Sequence, residues 1–254
     1  MNQQNNLFKT QIKLENARIL ITGGTSGLGK GLALALSKIG AKVAIIARRK
    51  ELLDEIKILH PKIITIQGDI SNKNDTYKLS ANVFGHLGEI DILINNASYL
   101  GPTPLQLLLD TECEDLTEVL ETNLMGPFRL TKSILPSMIL QKSGLVINIS
   151  SDAAISAYET WGSYSISKAA LDHLSKIWNE ELKGTGVRMI SLDPGDMATP
   201  MHFSAIPEAN PNDLFDPNNV ARDLLKFIEK LLKNSINEQV RFSAKEWRME
   251  YGIN

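Results

Sequence analysis

Tyr164 and Lys168 stand four residues apart in Tyr164-Ser165-Ile166-Ser167-Lys168, and their types suit one chemical task, the exchange of protons by a phenol near neutral pH. A free tyrosine titrates at about 10, too high for an effective general base at pH 7. In a helix, residues at i and i+4 share a face one turn apart, so the ammonium would lie beside the phenol and favour the phenolate. The same spacing also occurs on ordinary solvated helix faces, and the pair needs support from elsewhere in the chain. Asn123 and Ser151 are the candidates to complete a proton-transfer set.

A second chemical signal is Thr22-Gly23-Gly24-Thr25-Ser26-Gly27-Leu28-Gly29, which follows the apolar run Ile19-Leu20-Ile21 and precedes a helical pattern starting near Leu28. Strand, glycine turn and helix form the context a phosphate cradle requires. Glycine lets the backbone come close to a pyrophosphate, and the helix start presents unpaired amides at the positive end of its dipole. The spacing Gly23, Gly27, Gly29 is not a literal GxGxxG; the physical context is the same. A plain glycine-rich turn is the competing reading.

With these segments in hand, the chain resembles the short-chain dehydrogenase/reductase family in its single-domain form. The resemblance rests on TGxxxGxG at 22–29, Asp69-Ile70, Asn95-Asn96-Ala97, Asn123, Ser151 after Ile147-Asn148-Ile149-Ser150, the YxxxK pair, and Pro194-Gly195 followed by Thr199. One position departs from the pattern: the family usually has glycine after NNA, and here it is Ser98. The resemblance implies hydride transfer between a nicotinamide cofactor and a carbonyl or carbinol carbon. It implies that Tyr164 exchanges the proton, that Lys168 lowers its pKa and holds the ribose, that Ser151 hydrogen-bonds the substrate oxygen, and that Asn123 holds a water linking Lys168 to solvent. It further implies an adenine clamp at Asp69 and Ile70, a segment Asn95, Asn96 and Ala97 that stabilises the central strand and lines the cofactor cleft, and closure over the nicotinamide by Pro194, Gly195, Met197 and Thr199. Asp69 also suits a helix cap near Ser71, Asn96 a purely structural amide, and Asn123 a helix kink.

The elements that must position these residues follow from periodicity. Short β-branched runs predict strands near 18–22, 42–47, 63–67, 91–95, 145–150, 188–192 and 239–242. Longer amphipathic stretches predict helices near 27–39, 50–59, 72–87, 112–140, 161–183 and 218–233. Strict alternation argues for a doubly wound, three-layer α/β Rossmann fold with a mostly seven-stranded parallel sheet. In such a sheet ligands bind beyond the carboxyl ends of the strands, where Gly23, Asp69, Asn95, Ser151 and Pro194 all fall. Residues 9–16 read as a lead-in to the first strand, and the whole of 1–254 as one domain. The segment near 196–217, proline-rich and dotted with Met201, His202, Phe203, Ile206, Leu214 and Phe215, suits a substrate lid.

Cofactor choice is written at the end of the second strand, Ile45-Ile46-Ala47-Arg48-Arg49. An acidic residue about 20 positions after the glycine turn serves NAD, whereas an arginine there accommodates the 2′-phosphate of NADP. Ala47 stands where the family's NAD users carry aspartate, so NADP(H) is expected, with Arg48 as first phosphate ligand and Arg49 as second.

Composition sets the outer limits. The 254 residues are 43% hydrophobic, enough for one full core. The net charge of -2 provides no basic footprint for nucleic acid or an anionic membrane. Cys113 is the single cysteine, so a reducing, cytoplasmic setting is expected. Residues 1–6 are polar, without the apolar core of a secretion signal, and no run reaches the ~18 apolar residues that span a bilayer. His202 has no second His or Cys at ligand spacing, so no metal is expected and a place on the lid surface suits it. Tyr99, Leu100, Ile155, Tyr158 and Trp161 are candidate walls for a small apolar carbonyl or alcohol substrate. A homodimer or homotetramer is expected, with Trp178 and 247–253 as interface candidates. A 3-ketoacyl thioester reductase, a catalytically silent NADP(H)-binding regulator and a lyase or epimerase relative are the alternatives. The complete Ser151, Tyr164 and Lys168 set argues against the second, and the lack of a sizeable substrate domain against the third.

Overall fold

The strands are apolar on both faces, which obliges the sheet to be covered on both sides. The computed structural model describes residues 12–233 and 239–250. Its strands are β1 (Arg18–Thr22), β2 (Lys42–Ala47), β3 (Ile64–Gln67), β4 (Ile92–Asn95), β5 (Gly144–Ile149), β6 (Val187–Leu192) and β7 (Arg241–Phe242). They form one sheet in the order β3-β2-β1-β4-β5-β6-β7, parallel at every junction. Strand order reverses beside β1, and the crevice at that switch is where ligands bind in such sheets.

Alternation along each strand divides the core in two. Ile19, Ile21, Val43, Ile45, Ile92, Ile94 and Ile147 face α1 (Gly27–Lys38), α8 (Pro217–Lys233) and α9 (Ala244–Glu250). Leu20, Ala44, Ile46, Leu93, Val146 and Met189 face α3 (Thr76–Leu87), α5 (Gly126–Gln141) and α6 (Gly162–Glu181). The remaining helices are α2 (Lys50–Leu59), α4 (Cys113–Leu120) and α7 (Pro200–Ala205). Burying both strand faces between helix layers is the three-layer α/β architecture expected from the alternation.

Several boundaries differ from expectation for local reasons. The helix expected from 72 starts at Thr76, because Asp69 accepts hydrogen bonds from the Ser71 amide at 2.9 Å and its hydroxyl at 2.7 Å. That closes a separate turn, so Asp69 caps no helix. The long helix expected over 112–140 is interrupted by a π-helical turn, Glu121–Met125, which inserts one extra residue and turns Thr122 and Asn123 inward. Asn123 thereby becomes buried. The last strand shrinks to Arg241–Phe242, and the tail expected to meet another subunit forms α9. Trp247 is fully buried, packing on Phe227 with ring centroids 6.1 Å apart, so it belongs to the core. The remainder of that tail, 251–253, lies outside the described residues, as does the first part of the 9–16 lead-in, whose Leu14 joins the core.

Candidate active site

The glycine turn is held from behind by the end of β4. Thr22 Oγ1 accepts from the Asn96 and Ala97 amides, each at 3.0 Å, and the Asn96 side chain donates to the Thr22 carbonyl at 2.9 Å. A Cβ on Gly29 would lie 2.4 Å from Asn96 Nδ2 and from the Gly23 carbonyl oxygen, so only glycine allows the helix to approach this closely. Thr22 and Gly29 therefore shape the turn from behind. Gly23, Thr25, Ser26, Gly27 and Leu28 do line it. Ser26, at the start of α1, makes no side-chain cap hydrogen bond, which leaves the first-turn amides facing the cavity for an anion.

The cavity has a volume of about 790 Å³. From the glycine turn it extends past Arg48, Arg49, Asp69 and Ile70 in one direction, and past Asn96, Ala97, Ser151, Tyr164, Lys168, Pro194, Gly195, Met197 and Thr199 in the other. Arg48 and Asp69 stand 3.8 Å apart, both substantially exposed. Sequence positions far apart thus converge at the carboxyl ends of the strands, as the topology requires.

Buried hydrogen bonds hold α6 at this crevice. Asn95 Nδ2 donates to Asn148 Oδ1 at 2.7 Å and to Thr131 Oγ1 at 3.1 Å, and Asn148 Nδ2 donates to Ser175 Oγ at 2.8 Å. From the far edge, Arg241 Nε reaches Asp172 Oδ2 at 2.7 Å and its Nη2 donates to the Ser151 carbonyl at 3.0 Å. Arg241 thus ties the helix carrying Tyr164 to the strand end carrying Ser151. Arg241 is not apparent from motif spacing, nor are the Asn148, Thr131 and Ser175 partners through which Asn95 acts, because each lies on a different element.

Asn123 sits in the π-helical turn Glu121–Met125. Its Oδ1 accepts from the Tyr99 amide at 2.7 Å and from Ser98 Oγ at 3.2 Å; its Nδ2 donates to the Tyr99 carbonyl at 2.8 Å and to Ser167 Oγ at 2.9 Å. The whole hydrogen-bonding capacity of the amide is used. It clamps the loop after β4 against α6.

The phenol and the ammonium share a dry environment. Tyr164 is 8% and Lys168 2% exposed, and Trp161 packs edge-on against the phenol with centroids 5.8 Å apart. Burial pushes the Tyr164 pKa up to about 12, and the Asp193 and Asp152 carboxylates push the same way, while the polarity of the Ser98 and Ser151 side chains acts against it. Burial likewise pushes Lys168 down to about 8. Its Nζ lies 5.5 Å from the Tyr164 ring centroid and donates to the Ile149 carbonyl at 2.7 Å. Desolvation is the largest influence on the phenol, as expected for an ionisable group held away from water.

Among the expected substrate walls, Leu100, Tyr158 and Trp161 line the cavity, while Ile155 is 69% exposed and Tyr99 is used through its backbone. His202 lines the cavity too, with Nδ1 3.9 Å from Asp196 Oδ1, instead of sitting on the outer lid surface. Asp152, which accepts from the Ser151 hydroxyl at 3.0 Å and from Tyr158 Oη at 2.6 Å, was not singled out by spacing. Among the described residues no group of His, Cys, Asp and Glu is arranged to hold a metal ion, and no helix is long and apolar enough to cross a membrane.

Comparison with known proteins agrees with this geometry. The family model described as short chain dehydrogenase matches residues 17–209. A short chain dehydrogenase of Pseudocercospora fijiensis is 41% identical over 196 residues, 74% of this chain; the match spans 62% of that relative's length. The 3-oxoacyl-[acyl-carrier-protein] reductase of Thermotoga maritima is 34% identical over 194 residues, 75% of this chain and 78% of the relative. The structure of a 3-ketoacyl-(acyl-carrier-protein) reductase from Brucella melitensis, solved with NADH, superposes with a TM-score of 0.82 over 92% of this chain and 100% of that one. At 23% identity that likeness carries the fold alone. The glycine turn, the parallel sheet with its switch beside β1, and the Tyr164–Lys168 helix lie within or beside these matches, and the chain belongs to the short-chain dehydrogenase family.

Proposed function

We propose that this chain is an NADP(H)-dependent oxidoreductase that interconverts a carbonyl compound and a secondary alcohol, with Tyr164 as general acid and base. The carrying observation is the buried Tyr164 phenol with Lys168 Nζ 5.5 Å from its ring centroid, at the wall of a cavity that Ser151 also lines and that runs to the glycine turn. The uncapped start of α1 and the cavity-lining Arg48 and Arg49 fit a nucleotide carrying a 2′-phosphate, and Ala47 places no carboxylate against it. When bound, the nicotinamide cofactor supplies or accepts the hydride.

The chain's own groups handle the proton and orientation. In reduction Tyr164 donates its proton to the substrate oxygen, and in oxidation it takes that proton back. Ser151, at the end of β5, orients the same oxygen. Lys168 contributes positive charge beside the phenol, and the segment near 196–217, with α7 facing the cavity, closes over the substrate and excludes water. The whole chain works as one domain. A homodimer or homotetramer in the cytoplasm is part of the same reading; the half-buried stack of Trp178 on Phe128, 5.2 Å between centroids, supports a subunit contact on that face.

The substrate end joins apolar walls, Leu100, Ala153, Trp161 and Met201, to the carboxylates of Asp152, Asp193 and Asp196. Lys168 is the one Lys or Arg lining that end among the described residues. Such a mouth favours a neutral, apolar ketone or alcohol over an anionic one. The second reading, a 3-ketoacyl thioester reductase, is favoured by the name of the Thermotoga relative. Following NADPH absorbance with ketones, aldehydes, sugars and 3-ketoacyl thioesters separates the two. Tyr164→Phe should abolish turnover while cofactor affinity stays within about twofold; full activity in that variant would refute the role of Tyr164.

A further inference from the structure

Arg248, on α9, touches the segment near 196–217 at both of its ends. Its guanidinium carbon lies over the Phe215 ring, 3.7 Å from the centroid, and 4.9 Å from the ring centroid of Trp247 on its own helix. Its Nη2 donates to the Pro194 carbonyl at 3.4 Å, a long bond. Its Nε is buried with no hydrogen-bond partner. A guanidinium so poorly supplied with acceptors is held by its flat face, and stacking on an aromatic ring is what that face does best.

The two stems of the segment meet at the same place. Met197 and Phe215 form a parallel bridge, in which the Ala198 amide donates to the Phe215 carbonyl at 2.9 Å and the Phe215 amide to the Asp196 carbonyl at 3.1 Å. The chain leaving β6 is fixed from behind. Trp247 Nε1 donates to the Asp193 carbonyl at 2.9 Å, the Asp193 amide donates to the Phe242 carbonyl at 2.9 Å, and a Cβ on Gly195 would lie 3.1 Å from the Ala244 Cβ. The returning stem is different: Phe215 is half exposed, and the Arg248 guanidinium joins its ring to the Pro194 carbonyl. Between the stems, no residue of 199–214 is buried, which makes that stretch the part that opens at least cost.

We infer that Arg248 is a positioning residue for the lid: it pins the Phe215 stem to the turn at Pro194, so that closure over the cavity moves 199–214 while both stems stay in place. The inference rests on the reading of 196–217 as a lid. Pro194, Gly195, Met197 and Thr199 line the cavity, and pinned stems hold them preset instead of leaving them to be ordered when a ligand binds.

The test is amide hydrogen exchange of the full chain, read residue by residue by NMR with and without NADPH. The Ala198 and Phe215 amides, which hold the bridge, report on the stems. In the wild type both should exchange slowly without NADPH, and NADPH should slow 199–214. Arg248→Met keeps the apolar stem of the side chain and removes its charge and its plane; it should speed exchange at Ala198 and Phe215 about five- to thirtyfold, leave α6 unchanged, and make the stems depend on NADPH for protection. Phe215→Leu should do the same, Phe215→Tyr, which keeps the ring, should stay near the wild type, and Arg248→Met combined with Phe215→Leu should be no faster than either alone. A merely structural role would speed exchange throughout α9 and β7 and add to the effect of Phe215→Leu. Unmoved stem amides in Arg248→Met, or additive effects in the double variant, overturn the inference. A wild type in which NADPH leaves 199–214 unprotected, with the coupling of Arg248 to Phe215 intact, would instead overturn the lid reading on which it stands.

Discussion

Replacing Lys168 by Met separates what this residue does for chemistry from what it does to the fold. Lys168 is buried beside Tyr164, and desolvation lowers its pKa from 10.5 to about 8. At ~1.4 kcal/mol per pH unit, that fall corresponds to about 3 kcal/mol against the charged form in the native state. Below pH 8 the lysine is charged in both folded and unfolded chains, so the penalty is present in full. Between pH 8 and 10.5 the native state loses its proton first, the unfolded chain binds more protons, and stability rises with pH. Above 10.5 neither state carries the charge and the penalty is gone. Methionine removes the charge at similar volume but leaves the Ile149 carbonyl, which accepts from Nζ at 2.7 Å, without that donor, a cost of about 1–3 kcal/mol. Lys168→Met should therefore be more stable than the wild type by about 1 kcal/mol at pH 7 and less stable by about 2 kcal/mol at high alkaline pH. Urea unfolding of both proteins from pH 7 to 10.5 reads the difference directly. Turnover should drop at least about a hundredfold in the same variant. A stability difference that stays flat across that range would refute the buried-charge reasoning, whatever happens to activity.

Two further outcomes follow from the positioning of the site. Arg48→Ala should raise KM for NADPH about ten- to hundredfold through loss of a charge-assisted phosphate contact and leave KM for NADH nearly unchanged; steady-state kinetics with each cofactor decide, and equal effects on both would refute the 2′-phosphate assignment. Arg241→Met leaves the buried Asp172 carboxylate unpaired, a cost of about 3–5 kcal/mol, and frees the Ser151 carbonyl; denaturant unfolding should show the loss, and the remaining folded enzyme should have a lower kcat with cofactor affinity retained.

Much of the fold was legible in the residues because its signals are local. The strand runs at 18–22 and 42–47 are apolar on both faces and too short for helices, and the glycine turn between β1 and α1 punctuates them. Those features depend only on backbone sterics and on burial of neighbouring side chains. An interruption at Asn123 was open as a helix kink, but the π turn Glu121–Met125 itself was not legible, because it depends on Asn123 finding partners at Tyr99 and Ser167, which lie on other elements. The helical tail was missed for the same reason: Trp247 has little meaning until Phe227 and the Asp193 carbonyl, which accepts from its indole at 2.9 Å, are brought beneath it.

At the active site the division is similar. By itself the sequence determined that a phenol and an amine stand four residues apart on one helix, that a glycine turn precedes α1, and that Arg48 follows the second strand; spacing along a single element suffices for each. Only the tertiary structure decided that Thr22 and Gly29 support the turn from behind, that the Asn123 side chain clamps the loop after β4 against α6, and that Tyr164 and Lys168 share a dry environment. Electrostatics in a dry site depend on which groups surround the charge and how much water is excluded, and both are set by packing between elements distant in the chain.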